Sequence, residues 1–459
     1  MKRKKAGISL LIMKGLISEI RTNPKGWLLL LVFAACLHVA TTASIFVVGR
    51  ASLMPSKFNA SGLGEFASDS FFYQGDIVSL NDKLEHQGPL VWLKSVAPLH
   101  IKLYSLSHFF FSPWMAPNVL TIEPLNLIYY LVILYLVYQL AERIFDRSTG
   151  LLAITLIALW PSFLMHTTQL IRDPLLIVAV LFFILVVASW LTKTTSFRRD
   201  LAIVVPAVLA VLTIWIVRLA MWDAVRAIVL MGIVLLFIRH VRERRFFAAH
   251  IVNAIILTVA ILTIPQSQTV KSQQRREADI GRPLIAERVA DLPVTKRMEE
   301  RRQAFAKLKN VKVSSNASNL DNEIQLNSPG DFIQYLPRAA EIGLFAPFPN
   351  MWFAKGSQVG RTGRLISGVE TVVTYALEAL MFVGLWQKRK NLAAWLLVLT
   401  TVSALTALGF IVLNVGSLYR FRYPFLMLII VLGAGGATFL LRRYAHGNKQ
   451  LAHELASST

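Results

Sequence analysis

The chain of 459 residues has one cysteine, Cys36, and it lies inside an apolar run. That excludes an intramolecular disulfide and a cysteine-based metal cluster, and it argues against thiol redox chemistry. Charge is scarce as well. Asp, Glu, Lys and Arg make up 16% of the residues, against about a quarter in soluble globular chains. With 55% hydrophobic residues and a mean hydropathy of +0.55, the chain cannot cover a soluble surface with charge and belongs in a bilayer. No His-x-x-x-His or His-Glu-x-x-His pair argues for zinc, and no glycine-rich loop argues for a nucleotide phosphate site. No internal repeat suggests the inverted halves of a secondary transporter.

Acidic residues are the scarcer sign, 26 against 48 Lys plus Arg, for a net charge of +22. Such an excess alone would fit nucleic acid or an anionic membrane, and its placement decides against nucleic acid. Apolar runs lie at 27–48, 122–140, 150–164, 174–192, 201–219, 224–238, 247–264, 366–386, 392–413 and 421–441. A run of about 20 residues spans the hydrocarbon as a helix, so the expected fold is all-α, a polytopic membrane protein of about ten transmembrane helices. Runs 150–164 and 224–238 are short and could be tilted, broken or interfacial.

The segment before the first run holds Lys2, Arg3, Lys4, Lys5, Lys14, Arg21 and Lys25. It is expected to be cytosolic, with the first run acting as an uncleaved signal anchor. Alternate threading then places Arg143/Arg147, Lys193/Arg198/Arg199, Arg239/Arg242/Arg244/Arg245, Lys388/Arg389/Lys390 and Arg442/Arg443 on the same side. Most of the net charge is thereby internal, the positive-inside pattern, and both termini are expected in the cytosol.

Two large outer segments remain, 49–121 and 265–365, the second between the seventh and eighth spans. They divide the chain into a transmembrane catalytic module (1–264), a large outer loop (265–365) and C-terminal helices with a basic tail (366–459). In the first outer loop Phe72, Leu80 and Leu84, and then Leu99, Leu103, Leu106 and Phe110, recur near helical spacing, which predicts amphipathic helices lying on membrane lipids. In the second, Lys271 to Lys312 reads as solvated helix, and Phe345-Ala-Pro-Phe-Pro349 with Trp352 suggests docking onto the membrane face. Asn59-Ala-Ser61 and Asn316-Ala-Ser318 are sequons on the outer side.

Charge near membrane depth is costly, so function should show as ionisable groups at the outer ends of spans. Four places qualify: Asp69 with Tyr73, Asp173 with Arg172 and His166, Arg218 with Asp223, and Arg420, Arg422 and Tyr423. Asp69 and Tyr73 share a helix face, and Asp69 reads either as a general base or as a helix N-cap. Asp173 before Pro174 is an ordinary helix start, though His166, Gln169 and Arg172 crowd the same turn. His166 reads as interfacial packing or as a ligand. Arg420 and Arg422 suit a phosphate at headgroup level, or snorkel to lipid headgroups. Together these groups suggest an outer cavity for a lipid-phosphate substrate.

In this order the residues resemble the GT-C superfamily of membrane glycosyltransferases, in particular the bacterial branch related to protein O-mannosyltransferases and lipid A aminoarabinose transferases. The resemblance is carried by Asp69-Ser-Phe-Phe-Tyr73, Tyr138-Gln-Leu-Ala-Glu-Arg-Ile-Phe145, Leu159-Trp-Pro-Ser-Phe163 and Thr168-Gln-Leu-Ile-Arg-Asp173, with Pro347-Phe-Pro349 and Arg420-Phe-Arg422 in support. It implies transfer of a sugar from a polyprenyl-phosphate carrier to a lipid, glycan or protein acceptor, with inversion, at the outer face of a bacterial inner membrane. It implies Asp69 and Asp173 as catalytic acids, the second assisting the first, in some members through a divalent cation. Tyr73, His166, Arg172, Arg218, Arg420, Arg422 and Tyr423 would bind substrate. The family often has an Asp-Glu pair where Ser70 follows Asp69 here, which leaves metal dependence open. A lipid-linked glycan polymerase or ligase, a transporter or flippase, and a structural membrane protein are the competing readings.

Overall fold

The computed structural model describes residues 26–192, 197–218, 221–264, 295–296, 298–303, 320–326, 328–354, 356 and 359–457. The basic residues Lys2 to Lys25, Lys193, Ser318 with its sequon, and most of Lys271 to Lys312 lie outside them. Among the described residues the structure is helical, with two isolated bridges, Phe58 to Gly64 and Gly356 to Gly360.

Every expected apolar run forms helix. The helices are α1 (Gly26–Arg50), α2 (Asp69–His86), α3 (Pro89–Lys94), α4 (Leu99–Phe109), α5 (Val119–Ile144), α6 (Arg147–Ala158), α7 (Pro161–Thr167), α8 (Asp173–Ser189) and α9 (Phe197–Ala202). They continue with α10 (Val204–Val217), α11 (Trp222–Glu243), α12 (Ala248–Thr263), α13 (Pro329–Phe345), α14 (Gly360–Gln387), α15 (Leu392–Ile411), α16 (Val415–Phe421) and α17 (Tyr423–Ser457).

Seven are long and apolar enough to cross a membrane, with α9 and α10 acting as one, and α6 with α7 makes an eighth if a 70° bend is one span. The expected number of about ten is reached only by adding α8 and α12, which are apolar but shorter. The run at 150–164 is broken because Pro161 cannot continue the helix of α6 and instead starts α7. The run at 224–238, short in sequence, lies within the 22-residue α11.

The polar connections separate to opposite ends of the bundle. At one end Val119 N–H donates to Ser61 O (3.1 Å) and Leu320 N–H to Leu413 O (3.0 Å). At the other, Arg442 meets Asp146 (2.7 Å), Arg242 the Lys390 carbonyl (2.8 Å) and Arg239 the Trp190 carbonyl (2.7 Å). The described basic residues of these turns thus share one end, and Ser61 and Leu320, from the two expected outer segments, lie at the other.

Close helix contacts rely on glycine. A Cβ at Gly409 of α15 would sit 1.9 Å from Ala339 O of α13, and one at Gly436 of α17 would sit 2.0 Å from Leu380 O of α14. In lipid, where burial gives little drive between helices, such small residues let backbones approach and dispersion hold them.

In the first loop, α4 buries His100, Ile101, Tyr104, Ser105 and His108. The Leu103, Leu106 and Phe110 face does not pack inward. With Pro124, Leu125 and Ile128 of α5 it lines an open apolar groove of about 380 Å³, the position expected of a face turned to lipid.

Candidate active site

Three chain segments meet at the loop-bearing end. Asn59 accepts hydrogen bonds from Ser61 N–H (3.0 Å) and Leu63 N–H (2.8 Å), which curls the loop before α2. Gln169 Oε1 then accepts from Gly64 N–H at 2.8 Å and pins that loop against the turn leading to α8. Tyr104 OH lies 2.7 Å from Asn126 Oδ1 and 2.9 Å from the Ile171 carbonyl, fixing the same turn from the other side. The start of α2, the start of α8 and the end of α16 therefore face one another.

Asp69 and Asp173 open α2 and α8, and neither helix has a side-chain cap at the preceding residue. The two carboxylates instead share Arg420. Its Nη2 donates to Asp69 Oδ2 (3.0 Å) and Asp173 Oδ2 (2.8 Å), and its Nε to Asp173 Oδ2 (3.1 Å). Arg218 donates to the other Asp173 oxygen at 3.2 Å and stacks over the Phe421 ring at 3.4 Å. Burial alone would weaken the Arg420 charge, but Asp173 and Asp69 outweigh it and hold the guanidinium above its ordinary range. The Asp173 side chain is 6% exposed and the Asp69 side chain 41%, so only Asp69 offers a carboxylate to an incoming molecule.

Arg172 differs from its neighbours. Its side chain makes no hydrogen bond to any described residue, and its Nε is buried without a partner. Tyr73 lies close to it. Burial pushes the Tyr73 phenol up, and the Arg172 guanidinium pulls it the other way. The Tyr73 ring meets His100 edge-on at 4.8 Å. Around Asp173 three guanidiniums thus face two carboxylates, and the surplus positive charge sits on Arg172. Such a donor set suits an anion that can accept bidentate hydrogen bonds.

Three expectations change. Arg422 is buried, and its guanidinium donates to the Leu344 carbonyl (2.9 Å) and the Ala346 carbonyl. It closes the carbonyl end of α13, a requirement set by that helix terminus, and has no bond to Asp69 or Asp173. Tyr423 is 1% exposed, with its hydroxyl on Ser162 Oγ and His166 Nδ1, both at 3.1 Å. It belongs to the wall behind the site. Arg218 pairs with Asp173, while Asp223 pairs with Arg226 (3.5 Å) and Arg301 (3.1 Å).

His166 lies between the two regions. Its Nδ1 is 2.6 Å from the Ser162 carbonyl, which can only accept, so this nitrogen carries the proton. The Phe66 ring meets it at 5.1 Å. No three His, Cys, Asp or Glu side chains among the described residues converge to hold a metal ion. The two aspartates the resemblance offers have the Arg420 guanidinium between them, where a divalent ion would need to sit. This donor set does not fit a cation.

No protein-family model and no curated protein sequence matches the chain. Among solved structures it is similar to the archaeal oligosaccharyltransferase AglB from Archaeoglobus fulgidus, in complex with an inhibitory peptide and a dolichol-phosphate. The identity is 13% and the TM-score 0.44, over 93% of this chain and 52% of that one. The chain thus spans about half the length of that enzyme.

Sequence reasoning passed over several acidic or basic groups inside spans, among them Glu370, Glu123 and His38. Glu370 of α14 is buried and holds Ser162 of α7. Glu123 of α5 accepts from Thr42 (2.7 Å) and lies 2.7 Å from His38 Nδ1, and His38 Nε2 is 3.1 Å from Thr167 of α7. The signal was present, since an ionisable residue within an apolar run is costly and needs a partner.

Proposed function

We propose that the protein is a GT-C-type glycosyltransferase. It moves a sugar from a polyprenyl-phosphate carrier to a lipid, glycan or protein acceptor at the outer face of a bacterial inner membrane. The observation that carries this reading is one exposed carboxylate, Asp69, held by Arg420 beside the unpaired guanidinium of Arg172.

In the reaction Asp69 takes the proton of the acceptor hydroxyl as the acceptor oxygen bonds to the anomeric carbon. The bond from that carbon to the phosphate oxygen breaks, and its electron pair leaves with the carrier phosphate. Attack opposite the leaving group inverts the anomeric centre. Negative charge grows on the phosphate as the bond breaks, so Arg172, and Nη1 of Arg420, the one nitrogen not spent on carboxylates, bind it more tightly in the transition state than before. Asp173 has no exposed face for chemistry. It holds Arg420 and Arg218 in place.

The buried His38 and Glu123 pair favours one other reading, since a proton-coupled transporter uses such pairs inside the membrane. A lipid extract separates the two. Deletion of the gene should leave a polyprenyl-phosphate sugar accumulated in the membrane, and an unchanged carrier pool would refute the transferase.

Orientation has its own test. In a Cys36→Ala background, a cysteine at Ala60 should react with an impermeant thiol reagent in intact spheroplasts, and one at Arg389 only after lysis. The reverse pattern would put the site in the cytosol.

A further inference from the structure

Glu370 lies within the span of α14 and is 4% exposed. A carboxylate at that depth costs several kcal/mol unless it is bonded. One of its oxygens accepts Ser162 N–H at 2.7 Å, and the other accepts Ser162 Oγ at 2.6 Å. These bonds have a local reason. The break at Pro161 leaves the first amides of α7 without partners, and lipid offers no water to satisfy them.

The second oxygen also accepts the hydroxyl of Tyr419, and no helix end requires that bond. Tyr419 is on α16, directly before Arg420. Ser162 is on α7, whose chain continues through the Thr168 to Arg172 turn into Asp173. Tyr423 OH donates to Ser162 Oγ and adds α17 to the same junction. One buried carboxylate therefore joins the segment that carries Asp173 to the segment that carries Arg420.

We propose that Glu370 is a positioning residue, which through Tyr419 and Ser162 fixes the Arg420 guanidinium between Asp69 and Asp173. Its catalytic consequence rests on the transferase reading above, and its structural consequence does not. Tyr419→Phe removes only the link to α16 and leaves the Ser162 N–H and hydroxyl bonded. Glu370→Gln keeps the shape and loses one acceptor.

The experiment has two arms. In the first, turnover and KM for a polyprenyl-phosphate sugar are measured for both variants. The expected result is a kcat about tenfold or more below wild type with KM within twofold, because the guanidinium is still present but misplaced. Wild-type kcat in Tyr419→Phe would overturn the proposal and reduce Glu370 to a cap for α7.

The second arm needs no activity. Melting temperatures of detergent-solubilised wild type, Glu370→Gln, Arg420→Lys and the double variant form a cycle. Groups acting as one unit give non-additive shifts, whereas independent ones add. Additive shifts would overturn the proposal. Non-additive shifts without any turnover in wild type would leave the positioning intact and refute the transferase.

Discussion

Replacing Asp69 with asparagine is expected to lower turnover about a hundredfold or more, the usual scale for loss of a general base, while the melting temperature stays near that of wild type. Two facts separate chemistry from structure in this substitution. Asn caps a helix nearly as well as Asp, so a residue that only started α2 would tolerate it. The amide oxygen can also still accept from Arg420, which keeps Asp173 as its second partner. What disappears is a carboxylate, 41% exposed, that can take a proton. Activity is read as sugar transfer from a radiolabelled polyprenyl-phosphate donor, and stability by thermal denaturation in detergent. Retained turnover at unchanged stability would sink the assignment of Asp69 as the base.

The second large effect divides two arginines that look alike in sequence. Arg172→Ala is expected to weaken binding of a polyprenyl-phosphate by about 1.5–3 kcal/mol, the range for hydrogen bonds to charged groups, or roughly 10- to 150-fold in Kd. Lysine should restore only part of it, because a point charge cannot reproduce the planar fork. Stability should hold, since the Arg172 guanidinium bonds to no described residue. Arg422→Ala is expected to do the reverse. It strips partners from the Leu344 and Ala346 carbonyls, at a cost of about 1–3 kcal/mol per buried group left unsatisfied, and leaves the affinity for donor near wild type. Isothermal titration with a short-chain polyprenyl-phosphate, paired with melting curves, reads both quantities. If Arg422→Ala lost affinity and Arg172→Ala did not, the phosphate would sit elsewhere.

The sequence by itself determined the helices and their grouping into two ends. Runs of about 20 apolar residues have one common solution in lipid, because only a helix satisfies its own backbone there. The basic turns had to gather at one end, as charge cannot rest in hydrocarbon. Asp69, Asp173, Arg172 and Arg420 were legible as a group for the same reason, being charged residues at the ends of runs on the side otherwise poor in basic short loops. The break at Pro161 could be suspected from the short run around it.

The partners were decided by the tertiary structure alone. Helix α8 is apolar on every side and carries no stripe to show which way it turns. Nothing local to Arg172 or Arg422 shows which of them keeps its guanidinium free. That depends on where α13 ends, since its last carbonyls claim Arg422, while no described group claims the Arg172 side chain. Glu370 joins Ser162, 208 positions earlier, to Tyr419, 49 positions later. Such a junction exists only once α7, α14 and α16 have packed, because a hydrogen bond depends on positions within a few tenths of an ångström, and periodicity fixes a helix face only to within a side chain or two.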